Sequence, residues 1–428
     1  MNPMKRTCFV LFLFCAGIMQ AQNNAIQNAL KNYDYETALK LIEKNRETPE
    51  LNFLKATCFK NIGRYKDAIP ILEELVREDV SNIRFVNELA DCYQTTGNYQ
   101  KAKLYYFAAW QSVPTNRFAQ INYLNIVYKL NDWNQAIHLS LSILQKDTIA
   151  ILFPMLGDCY AHLSKQDSAI IYYKKAMHSN PEDYNTLKNL SGIYLQKGKY
   201  TDMINSTNTF ILKDSSNNTI NRYNGIGHCM KKEFGHAIYR LNKLLQEGDS
   251  SFLTNYYLGA AYFATQNYIL AYDRLNQAYR TDSSNIDLYF YLGKSAIYSG
   301  HQQKGIQILN AGLNKLIPND TILFNYYYNI SKAYNRLFNP TEEIKYLKLC
   351  FSCNQDYKLA LYTIAEIYDD TMKDPEEALN YYTRFMATRP KTKASKGNNP
   401  QGASYYNVVE NRMLEIKAAL ETTSKKRK

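Results

Sequence analysis

The side chains able to do covalent or metal chemistry are few, and they are scattered. The six histidines are His138, His162, His178, His228, His236 and His301, and none stands in a His-Glu-x-x-His pair. No Cys/His group has zinc-ligand spacing, and no Gly-x-x-x-x-Gly-Lys loop offers a phosphate cradle. The acid pairs Glu73-Glu74, Glu342-Glu343 and Glu376-Glu377 fall near helix starts or on helix surfaces, where acids are ordinary. No nucleophile sits beside a base. Cys350-x-x-Cys353 has the spacing of a redox pair. It lacks a surrounding strand pattern, and i, i+3 spacing on a helix is an equally good reading. The pattern predicts no enzyme, no cofactor and no metal. What remains is a binding chemistry of aromatic rings with neighbouring cations: Tyr256, Phe263, Phe290, Lys294, Tyr298, Tyr328, Lys332 and Arg336.

Those eight residues belong to a repeated frame. Ala38, Ala68, Ala102, Ala136, Ala169, Met203, Ala237, Ala271, Gly305, Ile344 and Ala378 follow one another at a step of 34 residues in seven of ten gaps. The exceptions are gaps of 30, 33 and 39. A constant step of this size marks a stacked array in which each unit touches its neighbours. The fifth unit is the clearest. Leu156, Gly157 and Tyr160 share one side of a first helix by i, i+1 and i+4 spacing, and Ala169, Tyr173 and Ala176 share one side of a second. Pro181 closes the pair. Gly63-Arg64-Tyr65 and Gly198-Lys199-Tyr200 fit the turns between paired helices. The gap of 39 carries five extra residues near Pro318 and Pro340, read as a bend or a break into two sub-arrays.

The unit resembles the tetratricopeptide repeat, a helix–turn–helix of about 34 residues. The same pattern returns around Leu89-Ala90, Leu258-Gly259 and Ile364-Ala365. The resemblance covers about eleven units over 22–390 and implies an all-α, right-handed solenoid. It implies a concave face lined by the first helices, used to hold protein or peptide partners. Some members grip a peptide carboxylate with a Lys and an Asn four residues later. The matching pairs here are Phe53 with Thr57, Asn87 with Asp91 and Lys188 with Gly192, so that clamp is absent. The groove-facing register collects a mixed polar set early on (Glu50, Arg84, Asn87, Asp91) and the aromatic–cation set in the later units. The aromatic set suits a peptide or protein edge; sugar rings are the alternative, and plain helix packing is the third reading.

Residues 1–21 read as an export signal: Lys5 and Arg6, an apolar run from Phe9 to Ile18, and Ala21 for cleavage. The run is short for a bilayer span, so no membrane span is expected after cleavage, and the expected location is the periplasm or cell envelope. An uncleaved anchor is the other reading. The formal charge of +12 is unevenly spread. Residues 389–428 hold ten Lys or Arg against three Glu, which argues against a nucleic-acid-binding surface along the array. After the array come a polar linker at 391–404, a capping helix at 405–420 with Val408, Val409, Met413, Ile416 and Leu420, and a basic tail at 421–428. Cys58, Cys92 and Cys159 each lie ten residues before an Ala of the series. Equivalent slots in neighbouring units stand at least a helix-packing distance of about 8–10 Å apart, too far for a disulfide.

Overall fold

A computed structural model describes residues 23–147, 149–315, 319–389 and 400–426, with side chains of the last helix described over 405–421. The predicted signal, most of the linker and the last two residues of the basic tail lie outside these residues. The described residues hold helices and no strand. They pair into eleven helical hairpins and a terminal helix, and they divide into two compact units, 1–190 and 191–428.

In the first unit α1 (23–31) precedes α2 (Tyr35–Ile42), followed by α3 (Pro49–Asn61) and α4 (Tyr65–Glu78), then α5 (Ile83–Thr95) and α6 (Tyr99–Ser112). Next come α7 (Arg117–Lys129) and α8 (Trp133–Leu144), then α9 (Leu152–His162) and α10 (Gln166–Ser179). The division between the units falls inside α11 (Tyr184–Gln196). The second unit continues with α12 (Tyr200–Ile211), α13 (Asn218–Met230), α14 (Phe234–Gln246), α15 (Phe252–Ala264), α16 (Tyr268–Thr281), α17 (Ile286–Tyr298) and α18 (Gln302–Leu313). It ends with α19 (Asp320–Arg336), α20 (Pro340–Cys353), α21 (Leu359–Glu366), α22 (Pro375–Met386) and α23 (Pro400–Lys426).

Ten members of the Ala series mark one structural slot, the fourth residue of a second helix, while Ile344 is the fifth residue of α20, whose fourth is the buried Glu343. Each member sits in the first turn and a half of a second helix, and nearly all are fully buried: Ala68, Ala102, Ala169, Ala271 and Ala378 have no exposed surface. A small side chain there lets the paired helices approach. In six hairpins the facing slot, twelve residues earlier, is Ala or Gly: Ala56, Ala90, Gly157, Gly225, Gly259 and Gly293.

Each hairpin turn contains one residue with left-handed backbone, at the same register. Four are glycines, Gly63, Gly97, Gly198 and Gly300, and seven are not: Tyr33, Asn131, Ser164, Lys232, Gln266, Phe338 and Lys373. The next residue caps the second helix. Asp34, Asn98, Asp132, Asn267, Asn339 and Asp374 each accept a backbone N–H of the first turn. A left-handed non-glycine residue costs about 1–2 kcal/mol. Phe338 (φ 53°) carries that cost with its ring 92% exposed. Phe338→Gly should therefore stabilise the chain by about 0.5–1 kcal/mol, after allowing for the greater freedom of glycine when unfolded. Urea unfolding measures it; a midpoint at or below wild type contradicts the argument.

The extra residues before Ile344, four by the spacing of the turns at Gly300 and Phe338, do not break the array. Most first helices have 13 residues, whereas α19 has 17, one added turn. Both α17 and α18 pack on α19 without interruption. Pro340 is the first residue of α20, where its missing N–H costs nothing, and Pro318 lies outside the described residues. The reading of a break into two sub-arrays at Pro340 is thereby corrected.

α23 is longer than the expected cap. It begins at Pro400, inside the segment read as linker, and runs to Lys426, into the segment read as tail. It docks through Val409 and Ile416, both buried, and through two ion pairs, Arg389–Glu410 and Arg412–Asp369. Residues 367–371 extend α21 as a π-turn that swings Asp369 inward. Arg412 donates to Asp369 from Nε (2.8 Å) and a terminal nitrogen (2.9 Å), holding that carboxyl below its usual range.

All six described cysteines are free thiols, and five are buried. Burial pushes the thiols of Cys92, Cys159, Cys229 and Cys350 up to about 12. Cys350 points at the Phe324 carbonyl. A thiol held protonated is a poor nucleophile, so the helix-packing reading of Cys350 and Cys353 fits better than the redox one. No described helix is long and apolar enough to cross a membrane.

Candidate binding face on the first helices

In the second unit, first helices touch the next first helix as well as their own partners: α13 meets α15, α15 meets α17, and α17 meets α19. They form one continuous face, and all eight predicted residues stand on α15, α17 or α19. A helix repeats every 3.6 residues, so Phe290, Lys294 and Tyr298 line one side of α17, and Tyr328, Lys332 and Arg336 one side of α19.

The structure gathers three of the eight, Phe263, Phe290 and Tyr298, around the amine of a fourth, Lys294. Lys294 Nζ stands 5.2 Å from the Phe263 ring centre, 5.8 Å from Tyr298 and 6.0 Å from Phe290. Arg336 lies over the other contact of Tyr298, at 4.4 Å, and donates to the Ile297 carbonyl at 2.8 Å. Lys332 sits 5.5 Å from Tyr328 on its own helix. Tyr256 is less engaged with this group: it stacks on Phe252 at 5.5 Å and meets Tyr257 edge-on.

The rings also serve the fold. Phe263 packs edge-on against Tyr291 of the next first helix, and Phe290 tilts against Tyr326 of the one after. Helix packing and surface presentation are thus shared by the same side chains. Their edges frame an open recess of about 180 Å³ between α17 and α19, lined by Ile286, Asp287, Phe290, Tyr291, Ile322, Asn325 and Tyr326. Asp287 and Lys294 are seven residues apart on α17, about 10 Å along its axis, with Phe290 between them.

Charge pairing separates this face from the earlier one. In the first unit Lys60 pairs with Asp91 at 2.7 Å and also with Glu88, and Arg84 reaches Glu50 at 3.5 Å. The charges of that set are paired internally, while Asn87 Oδ1 is buried without a hydrogen-bond partner among the described residues. Among the described residues no carboxylate pairs with Lys294 or Lys332. Burial alone lowers the Lys294 pKa. Its ammonium is half-buried among rings with no counter-charge.

Four segments match models of the tetratricopeptide repeat: residues 83–109, 155–183, 324–357 and 359–392. Each coincides with one hairpin, α5/α6, α9/α10, α19/α20 and α21/α22. The chain carries tetratricopeptide repeats. Repeats of this family generally act as non-catalytic scaffolds for protein–protein interaction. No curated protein matches the sequence. Solved structures similar to this repeat protein include YrrB, described as a TPR protein with an unusual peptide-binding site, at 19% identity, covering 45% of this chain and 96% of that one, with a TM-score of 0.40. A repeat protein from Parabacteroides merdae is 14% identical, covering 66% of this chain and 97% of its own, with a TM-score of 0.35. The C-terminal part of one from Cytophaga hutchinsonii is 16% identical, covering 56% and 97%, with a TM-score of 0.43. At these values the likeness bears on no function.

One group escaped the sequence reading. His228, Glu233 and His236 come together at the α13–α14 turn. Their spacing, His-x-x-x-x-Glu-x-x-His, follows no familiar ligand pattern, because the contact depends on where the hairpin turns.

Proposed function

We propose that this repeat protein is a non-catalytic adaptor that holds a segment of another protein on the first-helix face of α15, α17 and α19. The observation that carries the reading is the Lys294 ammonium, seated among three rings with no carboxylate of its own. A buried cation without a counter-charge costs stability unless a partner supplies one. A peptide acid placed over Lys294 supplies it, and an apolar side chain one turn away fills the recess beside Phe290. Asp287 at the other end favours a base on the far side of that apolar residue. The preferred ligand is therefore an extended segment ordered acid, apolar, base. The basic and apolar start of the chain, with Ala21 after it, supports an exported protein working in the periplasm or cell envelope.

An array of peptides carrying one apolar residue flanked by acids, by bases or by neutral residues tests this. The acid-bearing set should be retained, and Lys294→Met should weaken it at least tenfold. The fold should not suffer. Burial lowers the folded pKa of Lys294, so its charge is held less favourably in the folded protein than in the unfolded chain. Removing the charge should leave the melting temperature unchanged or slightly raised, and a fall of several degrees would contradict this. Charge-blind retention, or equal retention by Lys294→Met and by Tyr256→Ala/Phe290→Ala, defeats the proposal. Retention of glycans in place of peptides would transfer the face to the sugar-binding alternative.

A further inference from the structure

We infer that His228, Glu233 and His236 form a binding site for a divalent transition ion of the zinc class, at the turn of the seventh hairpin. His228 lies in the last turn of α13, Glu233 caps the start of α14, and His236 follows three residues later. Lys232 between them has left-handed backbone (φ 64°), which folds the chain back sharply enough to bring both ends of the motif to one point.

The donor atoms already converge. One ligand atom from each residue lies within 4.8 Å of the others, and His228 Nδ1 stands 2.6 Å from a Glu233 carboxylate oxygen. The imidazoles lie nearly parallel, with centres 5.1 Å apart. Bonds of about 2.0–2.1 Å at tetrahedral angles set donor atoms about 3.3 Å apart. Small side-chain rotations close the wider separations and open the short one. Those rotations are available: His236 is exposed, Glu233 is 37% exposed at its side chain, and His228 is 13% exposed. Open space surrounds Gly235, between the two C-terminal ligands. The cost is release of Lys231, whose Nζ lies 2.9 Å from the other Glu233 oxygen.

Two imidazoles and one carboxylate select zinc-class ions over Mg²⁺ or Ca²⁺, which want oxygen ligands and higher coordination. Three protein ligands leave a fourth position for water or an outside donor. The site lies on the hairpin turn, not on the first-helix face, so it stands independently of the peptide proposal. Its direct effect is to staple α13 to α14 at the turn.

The test titrates the full chain, first stripped with chelator, with ZnCl₂ and separately with MgCl₂, by calorimetry and thermal melting. One Zn²⁺ should bind at low-micromolar concentration and raise the melting temperature, while Mg²⁺ does neither. His236→Ala removes an exposed side chain, and Glu233→Gln keeps shape; each should weaken Zn²⁺ at least tenfold with the helical circular dichroism unchanged. Loading with Co²⁺ should give the visible absorption of a nitrogen–oxygen site without a thiolate band, which keeps the cysteines out of the ligand set. No saturable Zn²⁺ binding below about 100 μM, a thiolate band, or wild-type affinity in both variants overturns the inference.

Discussion

Replacing Gly305 by alanine should destabilise the protein, although alanine fills that slot in eight of the eleven hairpins. A Cβ there would lie 2.5 Å from Ile297 Cγ1, 2.7 Å from the Gly293 carbonyl oxygen and 3.1 Å from the Ile297 backbone nitrogen. Two of those three atoms are backbone of α17 and cannot turn aside. The facing residue is glycine too, and a Cβ on Gly293 would meet Leu309 at 2.7 Å. In five other hairpins the pair is Gly with Ala, or Ala with Ala; α17 and α18 have lost one more methyl and cross by glycine on glycine. Restoring it forces the helices apart. Overpacking of this kind costs about 1–3 kcal/mol, and contact with rigid backbone puts Gly305→Ala toward the upper end. Against that stands about 1 kcal/mol of helix propensity gained. The net expectation is a loss of about 2 kcal/mol in urea unfolding, with faster amide exchange concentrated in α17 and α18. Gly235→Ala is the control. Its Cβ meets nothing within 4 Å, so the same change there should be neutral or stabilising. Equal effects at both positions would show that propensity, not helix approach, decides.

That example shows how far the repeat step reaches. A step of 34 residues located all eleven hairpins, because each hairpin must offer the next one an apolar side at the same phase. It located the small slot but not its tolerance, since the tolerance at Gly305 depends on Gly293 twelve residues earlier. Turns were legible only where glycine advertised them, at Gly63 and Gly198. The equivalent turns at Lys232 and Phe338 look like ordinary helix surface until hairpin closure forces their backbone left-handed. The same turn explains why His228, Glu233 and His236 were missed. The prolines near Ile344 misled for a different reason: proline disfavours a helix interior, but Pro340 falls on a first position, and the added residues continue α19 by a turn. On the binding face, helical spacing put Phe290, Lys294 and Tyr298 on one side of α17. It said nothing of Phe263 reaching Lys294 from α15, nor of the absent counter-charge, because both depend on how neighbouring first helices abut.

Removing the Asp158 carboxylate should cost more than any surface charge. Asp158 on α9 accepts from Tyr128 Oη of α7 at 2.9 Å, from Tyr173 Oη of α10 at 2.5 Å and from Asn189 Nδ2 of α11 at 3.0 Å. One side chain thus joins three hairpins. Tyr173 is 1% exposed, and burial holds its hydroxyl and that of Tyr128 protonated well above the usual range. Asp158→Ala leaves two phenols and an amide short of an acceptor where water is scarce. At about 1–3 kcal/mol for each stranded group, with partial relaxation, the loss should be about 3–4 kcal/mol. Asp158→Asn keeps one acceptor oxygen and should lose about half as much. The repeat provides its own comparison. Tyr106 on α6 occupies the slot of Tyr173, four residues after the series alanine, and has no exposed surface. Its hydroxyl finds no partner among the described residues. The carboxylate in the Asp158 slot of that hairpin is Asp91, and Lys60, in the slot of Tyr128, holds it at 2.7 Å. Tyr106→Phe should therefore be neutral or stabilising, whereas Tyr173→Phe should cost about 1–2 kcal/mol. The substitution is the same, in the same slot of the repeat, and only the reach of one carboxylate differs. Denaturation curves that fail to separate the two phenylalanine variants would place the stability of these hairpins in apolar contact alone.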